Sequence, residues 1–190
     1  MHSTLRMGWI VTAVCVAGSL SASAVKADPT TWSGSLYAGY AKMMETGAPN
    51  GSLGFRGNGF AMVDPVIGIG AEVGYSWLGT TNLGTLGDLK QSVYHATANI
   101  RARGVTGSMR PYGIGGLGLY GLHASDNSGS ATTSKFGFNL GGGVQHRFPD
   151  SSTSLGIEAR WHMVPKGVID SGGKESALDM LTVTAGVDFN

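Results

Sequence analysis

Charged residues recur at alternate positions within segments that are otherwise apolar or rich in glycine. Charged residues make up only 13% of the chain. Charges removed from bulk water need partners, so we expect ion pairs across a narrow interior, with Glu72 and Glu158 each bound to arginines. The alternative is that the same charges line a gated small pore. The residues concerned are Arg56, Glu72, Arg101, Arg103, Arg147, Glu158, Arg160 and Asp188, five cations against three carboxylates.

Three histidines in the same segments raise the question of a metal site. We expect His95 and His162 to face inward near one rim, with His123 close by. No i, i+2 histidine pair or carboxylate cluster fixes a coordination geometry, so scattered polar residues are the favoured interpretation. The single cysteine, Cys15, lies in an N-terminal leader described below. The sequence therefore predicts no metal site, no cofactor and no redox chemistry.

The elements that must position these side chains are strands. In Val66–Leu78, apolar residues including Ile67, Ile69, Val73 and Trp77 alternate with glycines and one carboxylate. A period of two is typical of a strand with two chemically different faces. Seven other segments show the same alternation. The eight predicted strands cover residues 32–42, 52–62, 66–78, 92–103, 111–123, 136–147, 155–163 and 181–189.

In two segments the alternation does not decide which residues belong to the apolar face. The alternation in 52–62 is blurred, and 111–123 can be phased in two ways. A bulge at Gly115-Gly116 would place Leu117 and Leu119 on the apolar face. Without the bulge, that face holds Tyr112, Ile114, Tyr120 and Leu122.

Alternation does not distinguish a soluble barrel, with apolar residues inside, from a membrane barrel, with apolar residues outside, so the composition of the polar face must decide. The polar face has no lysine well inside a predicted strand, whereas a water-facing exterior is typically rich in charge. The 32 glycines suit a narrow interior, because an eight-stranded barrel is just wide enough for its own side chains. The sequence predicts an all-β fold, an eight-stranded antiparallel up-and-down transmembrane β-barrel with apolar residues facing lipid.

Aromatic residues and connection lengths favour the same architecture. Aromatics concentrate near strand ends, as in the interfacial belts of membrane barrels. Long predicted connections at 43–51, 79–91, 124–134 and 164–176 alternate with shorter ones. Membrane barrels have long loops outside and short periplasmic turns. The predicted interfacial aromatics are Trp32, Tyr40, Tyr75, Trp77, Tyr94, Tyr112, Tyr120, Phe136, Phe148, Trp161 and Phe189.

The N-terminal leader has the features of an export signal. A weakly basic start that includes Arg6 precedes a mostly apolar stretch, Met7–Leu20. This stretch is shorter than the about 20 apolar residues of a spanning helix. Small residues then indicate cleavage after Ala27, with Ala24 as the alternative. We expect residues 1–27 to be a cleaved signal peptide and residues 28–190 to form the barrel.

Three segments resemble the outer-membrane β-barrel family that includes the OmpA transmembrane domain and opacity-type surface antigens: RPYGIGG at 110–116, GFNLGGGVQHRF at 137–148 and TVTAGVDF at 182–189. The resemblance spans nearly the whole chain after the leader. It implies a monomer in the outer membrane of a Gram-negative bacterium, in contact with outer-membrane lipids and lipopolysaccharide. It also implies recognition of a C-terminal aromatic by the barrel assembly machinery. Phe189 matches that aromatic but is followed by Asn190. OmpA's periplasmic peptidoglycan-binding domain has no counterpart, so no cell-wall tether is expected.

The segment His123-Ala124-Ser125 resembles the His-x-Ser pair of outer-membrane lipid A deacylases. In those enzymes a histidine activates a serine and a downstream glutamate orients the histidine. The next predicted strand carries Lys135, Asn139 and Gln145 inward but no Asp or Glu. Without its orienting carboxylate the pair does not predict catalysis, and we expect no enzymatic activity.

The favoured function is a structural or surface-interaction role. Surface loops rich in Gly, Ser and Thr would provide an adhesive or antigenic surface for a host or surface ligand, while ion pairs close the lumen. A narrow porin-like channel for small solutes is the alternative, and a lipid A deacylase-type hydrolase comes third. The formal net charge is +1 and no long Lys/Arg run is present, so nucleic acid is not an expected partner.

Overall fold

The computed structural model describes residues 32–44, 51–82, 88–104, 107–125, 129–169 and 175–189. Eight strands form one closed antiparallel barrel, which confirms the predicted fold class. The predicted leader lies outside the described residues and stays a prediction. The strands are β1 (Trp32–Met43), β2 (Ser52–Met62), β3 (Ile67–Asn82), β4 (Asp88–Arg103), β5 (Met109–Ser125), β6 (Ser130–Arg147), β7 (Thr153–Ile169) and β8 (Glu175–Phe189).

Pairing between the first and last strands closes the barrel. Each strand pairs with its sequence neighbours, and β1 pairs with β8 from Gly34↔Phe189 to Met43↔Met180. Closure gives each described strand a neighbour on both sides, which pairs the backbone groups that hydrocarbon cannot hydrogen-bond. Among the described residues there is no helix long and apolar enough to cross a membrane.

Successive side chains point alternately to the lipid and to the lumen, as the period of two predicts. In β3, Ile69, Val73 and Trp77 are exposed on the outer face. Glu72 lies between them in sequence and is buried in the lumen. The outer face is apolar because contact with hydrocarbon excludes charge, whereas the lumen collects the polar side chains.

The structure shows which residues of β5 face outward, and the arrangement differs from both predicted alternatives. Leu117 and Leu119 are exposed on the outer face, and the pairing of β5 with both neighbours is continuous through Gly115-Gly116. No bulge is therefore needed to turn these leucines outward. Tyr112 and Tyr120 consequently point into the lumen, where they are 6% and 2% exposed, so their predicted place at the membrane interface is wrong.

Three hairpins extend further than the sequence pattern indicates. The β3–β4 ladder continues to Asn82↔Asp88, the β5–β6 ladder to Ser125↔Ser130 and the β7–β8 ladder to Ile169↔Glu175. Much of the predicted loops 79–91, 124–134 and 164–176 is therefore strand. Hydrophobic alternation fades there because neither face has to meet hydrocarbon, but the backbone still gains ladder hydrogen bonds.

The two ends of the barrel differ. We call the end with the connections 63–66, 104–108 and 148–152 the turn end, and the opposite end the loop end. Apolar side chains fill the loop end of the lumen in one cluster, and Phe60, Tyr112 and Ile114 form a smaller cluster toward the turn end. The loop-end cluster comprises Ala41, Met43, Leu78, Val93, Tyr120, Val164, Leu178 and Met180.

Glycines make room for the large side chains in the lumen. A Cβ atom at Gly143 would lie 2.7 Å from the Tyr112 ring and hydroxyl, and one at Gly70 would lie 2.7 Å from a Phe60 ring carbon. At both positions it would also collide with a backbone carbonyl oxygen of the neighbouring strand. Real Cβ atoms do not approach other atoms so closely, so a side chain at either position would displace both the ring and the neighbouring strand. This packing accounts for part of the glycine content of the polar face.

Candidate functional site in the barrel lumen

Glu72 of β3 is the most connected carboxylate of the lumen. Its Oε1 accepts a hydrogen bond from Arg160 Nη1 of β7 at 2.6 Å and lies 3.1 Å from His95 Nε2 of β4. Its Oε2 lies 3.8 Å from Arg56 Nε of β2. Glu72 therefore ties together strands from opposite sides of the bore.

Glu158 of β7 extends the same network. Its Oε1 accepts a hydrogen bond from Arg160 Nε at 2.7 Å and forms an ion pair with Arg56 Nη1 at 2.5 Å. Its Oε2 accepts a hydrogen bond from the Tyr112 hydroxyl at 2.9 Å. Two carboxylates thus share two guanidinium groups, an arrangement that neutralises all four charges locally.

Asp188 of β8 anchors a second group of side chains nearer the turn end. It accepts hydrogen bonds from Ser35 Oγ at 2.6 Å and from the Tyr37 hydroxyl at 2.7 Å. Arg101 Nη1 lies 3.6 Å from the same carboxylate, and the Arg101 guanidinium lies 4.2 Å from the centre of the Phe60 ring. The arginine therefore combines an ion pair with a cation–π contact.

The buried charges of the described lumen balance. Three arginines face three carboxylates, and each of these six residues is at most 6% exposed. We call this set the lumen network: Arg56, Glu72, Arg101, Glu158, Arg160 and Asp188.

Two arginines expected in the lumen lie instead at its turn end. Arg103 is half-buried there and Arg147 is exposed. The predicted excess of five cations over three carboxylates was therefore wrong for the buried interior. An uncompensated charge is costly in a narrow bore but not at a hydrated rim, which explains the difference.

The histidines divide between the two faces. His95 and His162 are buried in the lumen with ring centres 5.2 Å apart, and His162 Nδ1 lies 3.1 Å from the Tyr120 hydroxyl. His123 points to the outer face of β5, so it does not join them. Among the described residues, no three His, Cys, Asp or Glu side chains are arranged to hold a metal ion.

The His-x-Ser segment of β5 has a hydroxyl partner. His123 Nδ1 lies 2.9 Å from Thr132 Oγ1 of β6 on the exposed surface. In the catalytic arrangement that nitrogen would face a carboxylate, which orients the ring and stabilises its charged form. A threonine hydroxyl holds the ring but supplies no charge.

The remaining predicted interfacial aromatics lie on the outer face. Tyr94 is half-buried there and its hydroxyl lies 3.2 Å from Ser134 Oγ. Tyr75 and Trp77 contact one another edge to face at 4.8 Å between ring centres. The others, all exposed, are Trp32, Tyr40, Phe136, Phe148, Trp161 and Phe189.

Several lumen residues were missed by sequence reasoning. Tyr37 and Phe60 are at most 4% exposed and contact network arginines, with Arg56 4.6 Å from the Tyr37 ring centre. The alternation of their strands could have identified them. Tyr37 is next to Leu36, which faces outward, and Phe60 is four positions from Arg56, which faces inward.

Comparisons with known proteins agree on the fold. The sequence profile of the outer membrane protein beta-barrel domain matches residues 12–190. Neisserial surface protein A has a similar structure, with a TM-score of 0.67 and 14% identity over 83% of this chain and 96% of that chain. No curated protein matches the chain.

Two further solved structures are also similar. The N-terminal β-barrel domain of Pseudomonas aeruginosa OprF gives a TM-score of 0.53 and 12% identity, over 83% of this chain and 97% of that chain. Ail, the attachment invasion locus protein of Yersinia pestis, was solved in complex with the heparin analogue sucrose octasulfate. It gives a TM-score of 0.52 and 20% identity, over 83% of this chain and 99% of that chain. At these low sequence identities, the structural similarity shows a shared fold and nothing more.

Proposed function

Since the chain belongs to the outer membrane protein β-barrel family, it is a protein of the cell outer membrane, and we propose that its role there is structural or surface-interactive. The proposed role is neither enzymatic nor that of a channel. Lipopolysaccharide and outer-membrane lipids would cover the outer face, and the barrel assembly machinery would recognise β8 through Phe189. We expect the protein to act as a monomer without a cofactor.

One observation carries this proposal: the lumen network crosses the bore. Arg160 from β7 is fully buried and contacts both Glu72 and Glu158, while Arg56 from β2 contacts the same two carboxylates. Toward the loop end, the apolar cluster around Leu78 and Met180 would add a second barrier to ions. Because ion pairs and an apolar cluster both obstruct the lumen, a functional surface on the loops is favoured over a transport pathway through the barrel.

Conductance of the purified protein in planar lipid bilayers tests closure. We expect no stable openings, with folding checked independently by the shift in gel mobility between heated and unheated samples. Stable openings of nanosiemens size from the folded protein would overturn the closed lumen and favour the channel.

Surface display of the loop end is tested by epitope insertion. A tag inserted within residues 126–128 should be stained by antibody on intact cells. The same tag within residues 105–106 should be stained only after permeabilisation, since this connection is at the turn end. Staining of the second tag on intact cells would reverse the proposed orientation.

The interactive part of the role is tested by loop replacement. Gly/Ser sequences of equal length would replace residues 45–50, 83–87, 126–128 and 170–174, with the strands retained. We expect normal barrel assembly together with loss of adhesion to cultured host cells or loss of recognition by antisera against intact bacteria. Unchanged adhesion and recognition would remove the surface role and leave a purely structural one.

A further inference from the structure

Three arginines surround a cavity at the turn end of the barrel. Arg103 of β4, Arg110 of β5 and Arg147 of β6 line a volume of about 650 Å³ between the β4–β5 and β6–β7 connections. Arg103 and Arg110 are half-buried, and Arg147 is exposed. We call these three residues the arginine mouth.

The positive charge of the arginine mouth is not balanced by the described residues around it. Asp150 is the one carboxylate among the described residues that line the cavity. Asp64, in the neighbouring β2–β3 connection, accepts hydrogen bonds from the backbone N–H groups of Val66 and Ile67 at 2.6 and 2.7 Å. Asp188 is engaged by Arg101, Ser35 and Tyr37. Three guanidinium groups therefore face a single carboxylate, and the site attracts anions.

Backbone hydrogen bonds order the walls of the cavity without neutralising the arginines. The backbone N–H of Arg147 donates to the Ser108 carbonyl at 2.8 Å, which joins the end of β6 to the β4–β5 connection. Arg103 Nε donates to the Pro65 carbonyl at 3.4 Å. A side chain held as Arg103 is held loses less conformational freedom when it binds a ligand.

The position of the cavity identifies the class of anion. Phe148 lines the cavity and is exposed, and Trp32 and Phe189 are exposed at the same end of the barrel. These three aromatics form the aromatic belt of the turn end. Such belts lie at the level of the lipid headgroups. Short turns of outer-membrane barrels face the periplasm, so these headgroups belong to the periplasmic leaflet.

We propose that the arginine mouth binds the phosphate group of an anionic phospholipid in the periplasmic leaflet. Planar guanidinium forks match the oxygens of a phosphate, and basic pockets at membrane surfaces bind lipid headgroups. Ser108, Ser151 and Ser152 also line the cavity, and their hydroxyl groups suit the glycerol part of a headgroup. Free inorganic phosphate has the same chemistry and is the competing source of the anion.

Titration of the folded full-length protein in detergent tests the proposal. Isothermal calorimetry at low salt would compare short-chain phosphatidylglycerol, short-chain phosphatidylcholine and inorganic phosphate. The variant Arg110→Gln/Arg147→Gln removes two positive charges from the mouth. The control Lys42→Gln/Lys90→Gln removes two from exposed positions at the loop end. Heat-modifiable gel mobility would verify that both variants fold.

We expect phosphatidylglycerol to bind most tightly and to lose about 30-fold in affinity in the arginine variant. The estimate follows because each basic residue at an anionic lipid surface contributes about 1 kcal/mol and about 1.4 kcal/mol is tenfold in affinity. The lysine control should change less than about twofold. Equal affinity in wild type and arginine variant, or equal loss in both variants, would overturn the site. Inorganic phosphate or phosphatidylcholine binding as tightly as phosphatidylglycerol would overturn the assignment to an anionic lipid.

Discussion

The lumen network and the arginine mouth place the same residue type in opposite situations within one barrel. Three network arginines are at most 6% exposed and have carboxylate oxygens at 2.5 to 3.8 Å. The three mouth arginines are half-buried or exposed, and Asp150 is the one carboxylate among the described residues that line their cavity. Inside the membrane a charge must be neutralised by the protein itself, whereas water compensates it at the rim. The network is therefore suited to closing the barrel, and the mouth retains charge for a ligand.

The largest difference between the two regions should appear when a carboxylate is removed. Glu72→Ala leaves Arg160 and Arg56 partly unpaired in the lumen. Breaking a buried ion pair from one side costs about 3–5 kcal/mol. Urea unfolding of the protein in lipid vesicles should show this loss.

The matched control for Glu72→Ala is Asp150→Asn, which removes a carboxylate from the exposed rim. Its free energy of unfolding should stay within about 0.5 kcal/mol of wild type. Similar losses in the two variants would mean that burial does not distinguish the regions.

A smaller effect is expected from crowding the lumen without changing its charge. Gly143→Val would press on the Tyr112 side chain and on a backbone carbonyl of β7, and overpacking of this kind costs about 1–3 kcal/mol or more. Gly113→Val adds the same side chain where nothing lies within 4 Å of the new Cβ. Unfolding in lipid vesicles should therefore separate the two variants, and equal stability would contradict the tight packing of Tyr112.

Energetic coupling between charges provides a finer comparison. A double-mutant cycle with Glu72→Gln and Arg160→Met should give an interaction energy of about 0.5–3 kcal/mol, as is usual for residues in one hydrogen-bonded network. The equivalent cycle with Asp150→Asn and Arg147→Gln should give a value near zero, because both side chains are exposed and even an ion pair between exposed side chains contributes little. Strong coupling in the second cycle would show that the mouth is itself an ion-pair network.

The smallest effect should follow the loss of one mouth arginine. Arg147→Gln should leave the free energy of unfolding within about 0.5 kcal/mol of wild type, since the side chain is exposed and has no carboxylate that it must neutralise. Thermal or urea unfolding of the folded protein measures this. A loss of several kcal/mol would assign the mouth a structural role and weaken its interpretation as a ligand site.

The inward position of the charged residues could be predicted from the sequence, because charge and alternation are properties of neighbouring residues. The parity of Glu72 relative to Ile69 and Val73 predicted its inward position correctly. Alternation does not show how far the lumen extends along a strand, so Arg103 and Arg147 were grouped with the buried charges. Depth along a strand depends on the stagger between strands, and a single strand's pattern does not contain it.

The phase of β5 shows a second reason why sequence reasoning stops short. Both of its faces carry large apolar residues, Tyr112 and Tyr120 on one and Leu117 and Leu119 on the other, so alternation alone does not choose between them. Pairing with β4 and β6 makes the choice. The tyrosines then fill space beside lumen glycines and donate or accept hydrogen bonds there, which the leucines lack the polar groups to do.

The sequence by itself determined that this chain forms a barrel with an apolar exterior, because a period of two and the absence of charge from one face are properties of neighbouring residues. The tertiary structure decided which charges meet. Arg160 and Glu72 are separated by 88 positions along the chain, and their hydrogen bond of 2.6 Å exists because closure brings β7 across the bore from β3. Closure also divides the arginines into those that need a carboxylate within the protein and those that water leaves available for a ligand.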